Sequence, residues 1–363
     1  MIPLPAEMEP DAYRAACARQ ATRMQTDSPM ANRFILLVSP VAEMEGLCEV
    51  RVEGGRNVAQ RCATITGRQR TTTTQEGAAG MIQTGEFRGF EVSTEDPGIL
   101  VITFNRPDRL NGMDAPMKRD LLETLTQAAM EDSVRVVLFV GSGRAFSAGD
   151  DISGQDKGRR GEALVPDIHR GHDNVLGTIN GLRKISQPIN TAIRGMDKLT
   201  IGAMNGVAVQ TGFSLALSCD FRIASSAARM GSGTLRFGLL PDEGGHYLLL
   251  QMMGLPKTMD FLMRSRLVGA AEAHDLGLVH EVVEPDELMP RAMDLARELA
   301  NGPQVAMRLL KRSLYNAADQ TWEQSLEDIA ARTPMADHHP DSREGVAAFR
   351  GKRKPSFNAW LEE

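Results

Sequence analysis

From residue 98 onward the chain alternates short β-branched runs with stretches of helical spacing. That rhythm predicts βαβ units layered into an α/β core. Strands are predicted over 99–104, 134–140, 199–204 and 221–224, with helices over 116–131 and 170–185 between them. After about residue 255 the strand signal fades. Leu288, Ala292, Leu295 and Leu299 then recur at helical spacing, and a further helix is predicted over 303–316. The first 80 residues lack this order: they hold arginine but no lysine, the run Thr71-Thr72-Thr73-Thr74, one candidate strand at 34–38 and one candidate helix at 10–25. With so few periodic apolar positions, loose structure is expected there. Three parts follow: a poorly structured extension over 1–80, a core over 81–255 and a helical region over 256–363. Met81 opens a stretch that resembles a natural amino terminus, so translation from Met81 is one expectation.

Composition narrows the class without choosing a function. With 363 residues, 42% hydrophobic and 24% charged, the chain can bury a sizeable core and hold more than one structural unit. A formal net charge of −6 gives no basis for a nucleic-acid partner, so any attraction for a polyanionic ligand must be local. No apolar run approaches the roughly 18 residues needed to cross a bilayer, and no basic segment followed by an apolar core opens the chain. A cytoplasmic enzyme without a membrane partner is expected. Cys17, Cys48, Cys62 and Cys219 show neither CxxC nor CxH spacing, which argues against a zinc site or a disulfide framework. Cys219 fits a small buried hydrophobe. Asp167, His169, His172 and Asp173 cluster, yet their spacing matches no strong metal motif and suits a solvated helix face. No metal is expected.

Two loops carry the chemistry. Arg144-Ala145-Phe146-Ser147-Ala148-Gly149-Asp150-Asp151-Ile152 follows the apolar run Val136–Val140 and a Gly141-Ser142-Gly143 turn. Gly149 lets the backbone turn sharply, so the Asp150 amide can face a carbonyl oxygen instead of joining a ladder. Downstream, the small-residue turn in Asn205–Asp220 opens an apolar helix whose first N–H groups lack intrahelical partners. Together and in this order, the loops resemble the crotonase, or enoyl-CoA hydratase/isomerase, superfamily. The resemblance covers roughly residues 82–357. It includes Ile99–Met113, Phe237-Gly238-Leu239-Leu240-Pro241 running into Asp242-Glu243-Gly244-Gly245, then Leu267–Val279 and Gly345–Phe357.

The resemblance implies an α/β fold, a crotonase-like spiral of repeated ββα units with a helical C-terminal region, assembled as trimers or pairs of trimers. It implies an acyl-CoA thioester as substrate, with no separate cofactor, since coenzyme A enters as part of that substrate. The thioester oxygen becomes negative when a base removes an α or γ proton or a nucleophile adds, and two preorganised amides stabilise it. Those donors correspond to the backbone N–H groups of Asp150 and Thr211. Thr211 replaces a common glycine and crowds the pocket. Contacts to the coenzyme A moiety correspond to Arg109, Ala148 and Lys352, the last beside Arg353 and Lys354.

The acid/base groups depart from the hydratases. Ser214 and Thr234 stand where those enzymes place glutamates. Neither shuttles a proton readily near neutral pH, so a two-glutamate hydration mechanism is not expected. Asp242 is the first candidate base and Glu243 the second. The alternative is that the pair caps the helix that follows. His246 suits a first-turn polar residue, and Asp151 a hydrogen bond within its own loop. An enoyl-CoA isomerase type of proton transfer fits best, against a hydratase-like lyase, a C–C bond hydrolase or a non-catalytic CoA-binding scaffold. Two carboxylates opposite an intact oxyanion hole favour catalysis. The acyl group is not legible, and Met252, Met253, Met259 and Met263 suit a core as well as a tunnel.

Overall fold

Two sheets are wound by one repeating path. The computed structural model describes residues 82–152, 161–168 and 174–361. The readings made for residues 1–80, for a start at Met81 and for His169, His172 and Asp173 lie outside the described residues. Strands β1 (Gly85–Phe87), β2 (Phe90–Glu95) and β3 (Ile99–Phe104) form an antiparallel meander. Helix α1 (Ala115–Met130) follows, and β4 (Val136–Gly141) then pairs parallel with β3. From β4 the chain drops into a second sheet as β5 (Ala145–Ser147) and returns through α2 (Val175–Gly181) and α3 (Gln187–Gly195). Next come β6 (Leu199–Met204), β7 (Val207–Val209) and α4 (Thr211–Ser218), then β8 (Phe221–Ser225), β9 (Arg229–Gly231) and α5 (Gly245–Met263). Each turn gives one strand to each sheet and then a helix. This is the expected spiral of ββα units.

The sheets continue past residue 255. Strand β10 (Leu267–Gly269) pairs antiparallel with β9 and is followed by α6 (Ala270–Asp275), and β11 (Glu281–Val283) pairs parallel with β8. The large sheet therefore runs β1-β2-β3-β4-β6-β8-β11 and the small one β10-β9-β7-β5. A fading strand signal missed these two because each is only three residues long. Helices α7 (Leu288–Ala300), α8 (Gln304–Ala317), α9 (Trp322–Asp337) and α10 (Pro340–Arg350) complete the chain.

The continuous apolar runs follow from burial on both faces of a parallel sheet. Ile99 and Val101 of β3 point with Val136 and Leu138 of β4 toward Leu288, Ala292 and Ala296 of α7. Leu100, Ile102 and Phe104 alternate to the opposite face, toward Met117, Leu121 and Leu125 of α1. There Phe146 of β5 meets Phe104 edge-on, with ring centroids 5.3 Å apart. This contact anchors the strand that leads into the first loop of the site.

The helix predicted over 170–185 begins, among the described residues, at Val175 and runs on to Gly195. A π-helical turn, Leu182–Ser186, precedes Pro188, whose missing N–H and ring would disrupt a regular α-helical interior. Helix α9 opens with a capping box in which Thr321 Oγ1 accepts from the Gln324 amide and Gln324 Oε1 accepts from the Thr321 amide. Thr321→Ala is expected to cost about 1 kcal/mol of stability, read as a lower urea midpoint at unchanged slope.

Candidate active site

The two loops meet at the small sheet's end. Gly149 has φ +89°, and a Cβ there would lie 2.5 Å from Gln210 Cβ; a Cβ on Gly212 would lie 2.4 Å from the Ser147 carbonyl oxygen. Both positions therefore need glycine. Met113 donates to the Gly149 carbonyl and accepts from the Asp151 amide. In this parallel bridge, centred on Asp150, the Asp150 N–H faces away from Met113. Thr211 is the first residue of α4, so its N–H has no intrahelical acceptor, and Gln210 ahead of it supplies no side-chain cap. Gln210 itself is held at φ 54°, ψ −124°, a conformation that residues with a Cβ rarely adopt. The structure thus brings together the two amides that the sequence singles out.

Side chains then converge on Thr211. Its hydroxyl lies 2.7 Å from both Asp150 Oδ1 and Glu243 Oε1. Lys118 of α1 reaches the same group, with Nζ 2.6 Å from Asp150 Oδ1, 3.1 Å from Glu243 Oε1 and 3.0 Å from Ser186 Oγ. A cleft of about 130 Å³, lined by Met113, Asp114, Ala115, Lys118, Asp150, Asp151 and Ser186, opens beside them. Helix α3 fixes the acidic loop, since Gln187 donates to the Asp242 carbonyl at 2.9 Å and Asn190 to the Glu243 carbonyl at 2.7 Å.

The two candidate bases are placed differently. Glu243 is 5% exposed and points into the cluster, whereas Asp242 is exposed and engages Gln187 through its backbone. Neither caps α5, whose N-cap is Gly244 with no side-chain bond. Burial is the main force on Glu243 and pushes its carboxyl above the usual carboxylate range; Lys118 opposes that rise and Asp150 adds to it. A threonine hydroxyl donates only one hydrogen, so two ionised carboxylates cannot both receive it. Thr211 therefore donates to one carboxylate at a time, to Asp150 Oδ1 or to Glu243 Oε1.

The remaining candidates sort by position. Asp151 accepts from Arg106 at 2.8 Å, a bond that stiffens the loop. Half-buried Arg109 and Ala148 flank one stitch, the Ala148 amide donating to the Leu110 carbonyl at 2.8 Å. Lys352 lies on an exposed turn at φ 50° after α10, and Arg353 beside it pairs with Glu344. His246 is exposed, its ring 3.2 Å from the Pro241 carbonyl oxygen. Ser214 is buried against Gly245, and Thr234 shares a 3.2 Å hydrogen bond with Ser232. Asp167 pairs with Arg88, and among the described residues no group of three or more acidic, His or Cys side chains is placed to hold a metal. Sequence reasoning missed Lys118, because a lysine next to the buried Met117 has the pattern of a solvated helix position. Burial pushes the Cys219 thiol up to about 12. Cys219 is therefore expected to resist iodoacetamide at pH 8 in the native protein and to react once unfolded, as peptide mass spectrometry would show.

Comparison with known proteins identifies the family. Residues 94–359 match the enoyl-CoA hydratase/isomerase family. The 1,2-epoxyphenylacetyl-CoA isomerase of Escherichia coli is 32% identical over 268 residues, spanning 74% of this chain and 98% of that protein. A probable enoyl-CoA hydratase of Rhizobium meliloti is 30% identical, over 71% and 93% respectively. The crystal structure of an enoyl-CoA hydratase from Bacillus anthracis superposes with a TM-score of 0.67 at 26% identity, over 74% of this chain and 99% of that one. The chain belongs to the enoyl-CoA hydratase/isomerase family, within the crotonase superfamily, and is an enzyme of that family.

Proposed function

We propose that the protein is an enolate-forming acyl-CoA isomerase in which Glu243 moves the proton. The thioester oxygen sits between the amides of Asp150 and Thr211. Glu243, ionised, removes the proton from C2 of a 3-enoyl-CoA, and the electron pair passes into a dienolate whose negative oxygen the amides stabilise. Glu243 then returns the proton to C4, so the double bond moves from C3–C4 to C2–C3 and no water is consumed. The observation that carries this reading is one buried carboxyl at the oxyanion pocket, with serine and threonine where a second and third would serve hydration. In this reading the coenzyme A moiety runs along Arg109 and Ala148, and Lys352 is a third candidate contact.

Product analysis tests it. Purified protein incubated with a 3-enoyl-CoA is expected to yield the 2-enoyl-CoA, and with a 2-enoyl-CoA to yield no 3-hydroxyacyl-CoA. Rapid hydration of the 2-enoyl thioester would overturn the isomerase reading in favour of a lyase. We also propose assembly into trimers or hexamers, supported by Leu310, Leu314, Trp322, Leu326 and Phe349, all exposed on α8, α9 and α10. Light scattering is expected to report three or six chains per particle, and a monomer would contradict this.

A further inference from the structure

Lys118 has no part in the proton transfer or in the oxyanion pocket as described. It is 3% exposed, and Asp150 beside it bears a carboxylate on the residue whose amide faces the pocket. An uncompensated anion there would oppose the charge that develops on a bound thioester oxygen. Glu243 has a matching problem, because a base buried among acids holds its proton too firmly to act. We propose that Lys118 is a positioning residue: its ammonium, bridging Asp150 and Glu243, cancels the aspartate's charge beside the oxyanion pocket and lets Glu243 ionise where it lies. This rests on the reading of Glu243 as the base.

Several elements packed around Glu243 contribute groups to this balance, and the cavity on its other side carries Arg194, His246, Arg312 and Tyr315. Lys118 comes from α1, Ser186 from the π-turn, Asn190 from α3, Asp150 from the loop after β5 and Thr211 from α4, while Asp242 precedes Glu243 in the chain. Lys118 is the cation at ion-pair distance from the carboxylate, 3.1 Å from Oε1. Opposing it, Asp150 and Asp242 both push the Glu243 carboxyl upward. When Glu243 takes the substrate proton, its negative charge is replaced by one on the thioester oxygen. The site's total charge is then unchanged, and Lys118 faces the same number of negative charges before and after the step.

Infrared titration of the full chain reads this without a substrate. The protonated-carboxyl band lost in Glu243→Gln marks Glu243. Lys118→Met is expected to move its midpoint to higher pH and Asp150→Asn to lower pH, with the double variant returning toward wild type; Lys118→Arg keeps the midpoint near wild type. In heavy water, Lys118→Met is expected to slow deuterium uptake into a 3-enoyl-CoA about tenfold or more at pH 6, the scale set by removing a countercharge at hydrogen-bond distance, and Asp150→Asn restores part of that loss. A purely structural lysine predicts additive losses with an unmoved midpoint. A Glu243 midpoint that stays or falls in Lys118→Met overturns the proposal. If Lys118→Met gives no cooperative thermal transition, Asp150→Asn decides alone: a lower midpoint supports the proposal and an unmoved one overturns it. Midpoint shifts of the expected sign with uptake surviving in Glu243→Gln would instead remove the base assignment and leave the charge arrangement standing.

Discussion

Glu243→Gln is expected to slow deuterium uptake into a 3-enoyl-CoA by roughly 10²–10⁴-fold, the usual contribution of a positioned acid/base group. Asp242→Asn is expected to retain most of the wild-type rate. Glutamine keeps the size of the side chain and leaves an acceptor 2.7 Å from the Thr211 hydroxyl, so the loss reports on proton transfer and not on packing. The contrast between neighbours is the informative part. The two acids share one loop, and α3 holds the carbonyls of both, but only the Glu243 carboxyl is turned inward. Equal losses in the two variants would indicate that the whole loop matters and that the buried carboxyl has no special role. Undiminished uptake in Glu243→Gln would remove the base from the account.

Gly149→Ala should be nearly as damaging. A β-carbon at this position lies 2.5 Å from Gln210 Cβ and 3.1 Å from the Val209 carbonyl oxygen, on a backbone already at φ +89°. Either the Asp150 loop or the start of α4 must move, and each carries one of the two amides. Loss of a single oxyanion donor ordinarily lowers kcat by roughly 10²–10³-fold, and that is the expected reduction. The control is Gly195→Ala at the end of α3, where a β-carbon meets nothing within 4 Å. Its activity is expected to stay within about twofold of wild type. Full activity in Gly149→Ala, with a crystal structure showing both loops unmoved, would disconnect the amides from catalysis.

Much of this arrangement was legible in the sequence because it depends on local rules. The runs at 99–104 and 199–204 match β3 and β6 to the residue, since a strand buried on both faces leaves a mostly apolar signature, broken here only by Thr103 and Thr200. Gly149 announced a sharp turn by its lack of a side chain, and the turn before α4 announced free amides. Which acid turns inward was not legible: sequence put Asp242 ahead of Glu243 as the base, and the inward turn of Glu243 is set by Gln187 and Asn190, about 55 residues earlier in the chain. Lys118 was hidden for the same reason. Its partners come from the loop after β5 and from the loop before α5, and only tertiary packing makes an ammonium at that helix position a buried one. Gln210 carried no mark of its unusual backbone, because glutamine is not a residue type from which a positive φ is inferred.

The most direct test is a crystal structure of the protein with an acyl-CoA thioester bound. The account predicts the thioester oxygen within 2.7–3.1 Å of the amide nitrogens of both Asp150 and Thr211, the hydrogen-bond range of an oxyanion hole, with the α-carbon facing the Glu243 carboxylate. A thioester oxygen bound elsewhere, or an α-carbon facing Asp242 with Glu243 still closed onto Thr211, would contradict it.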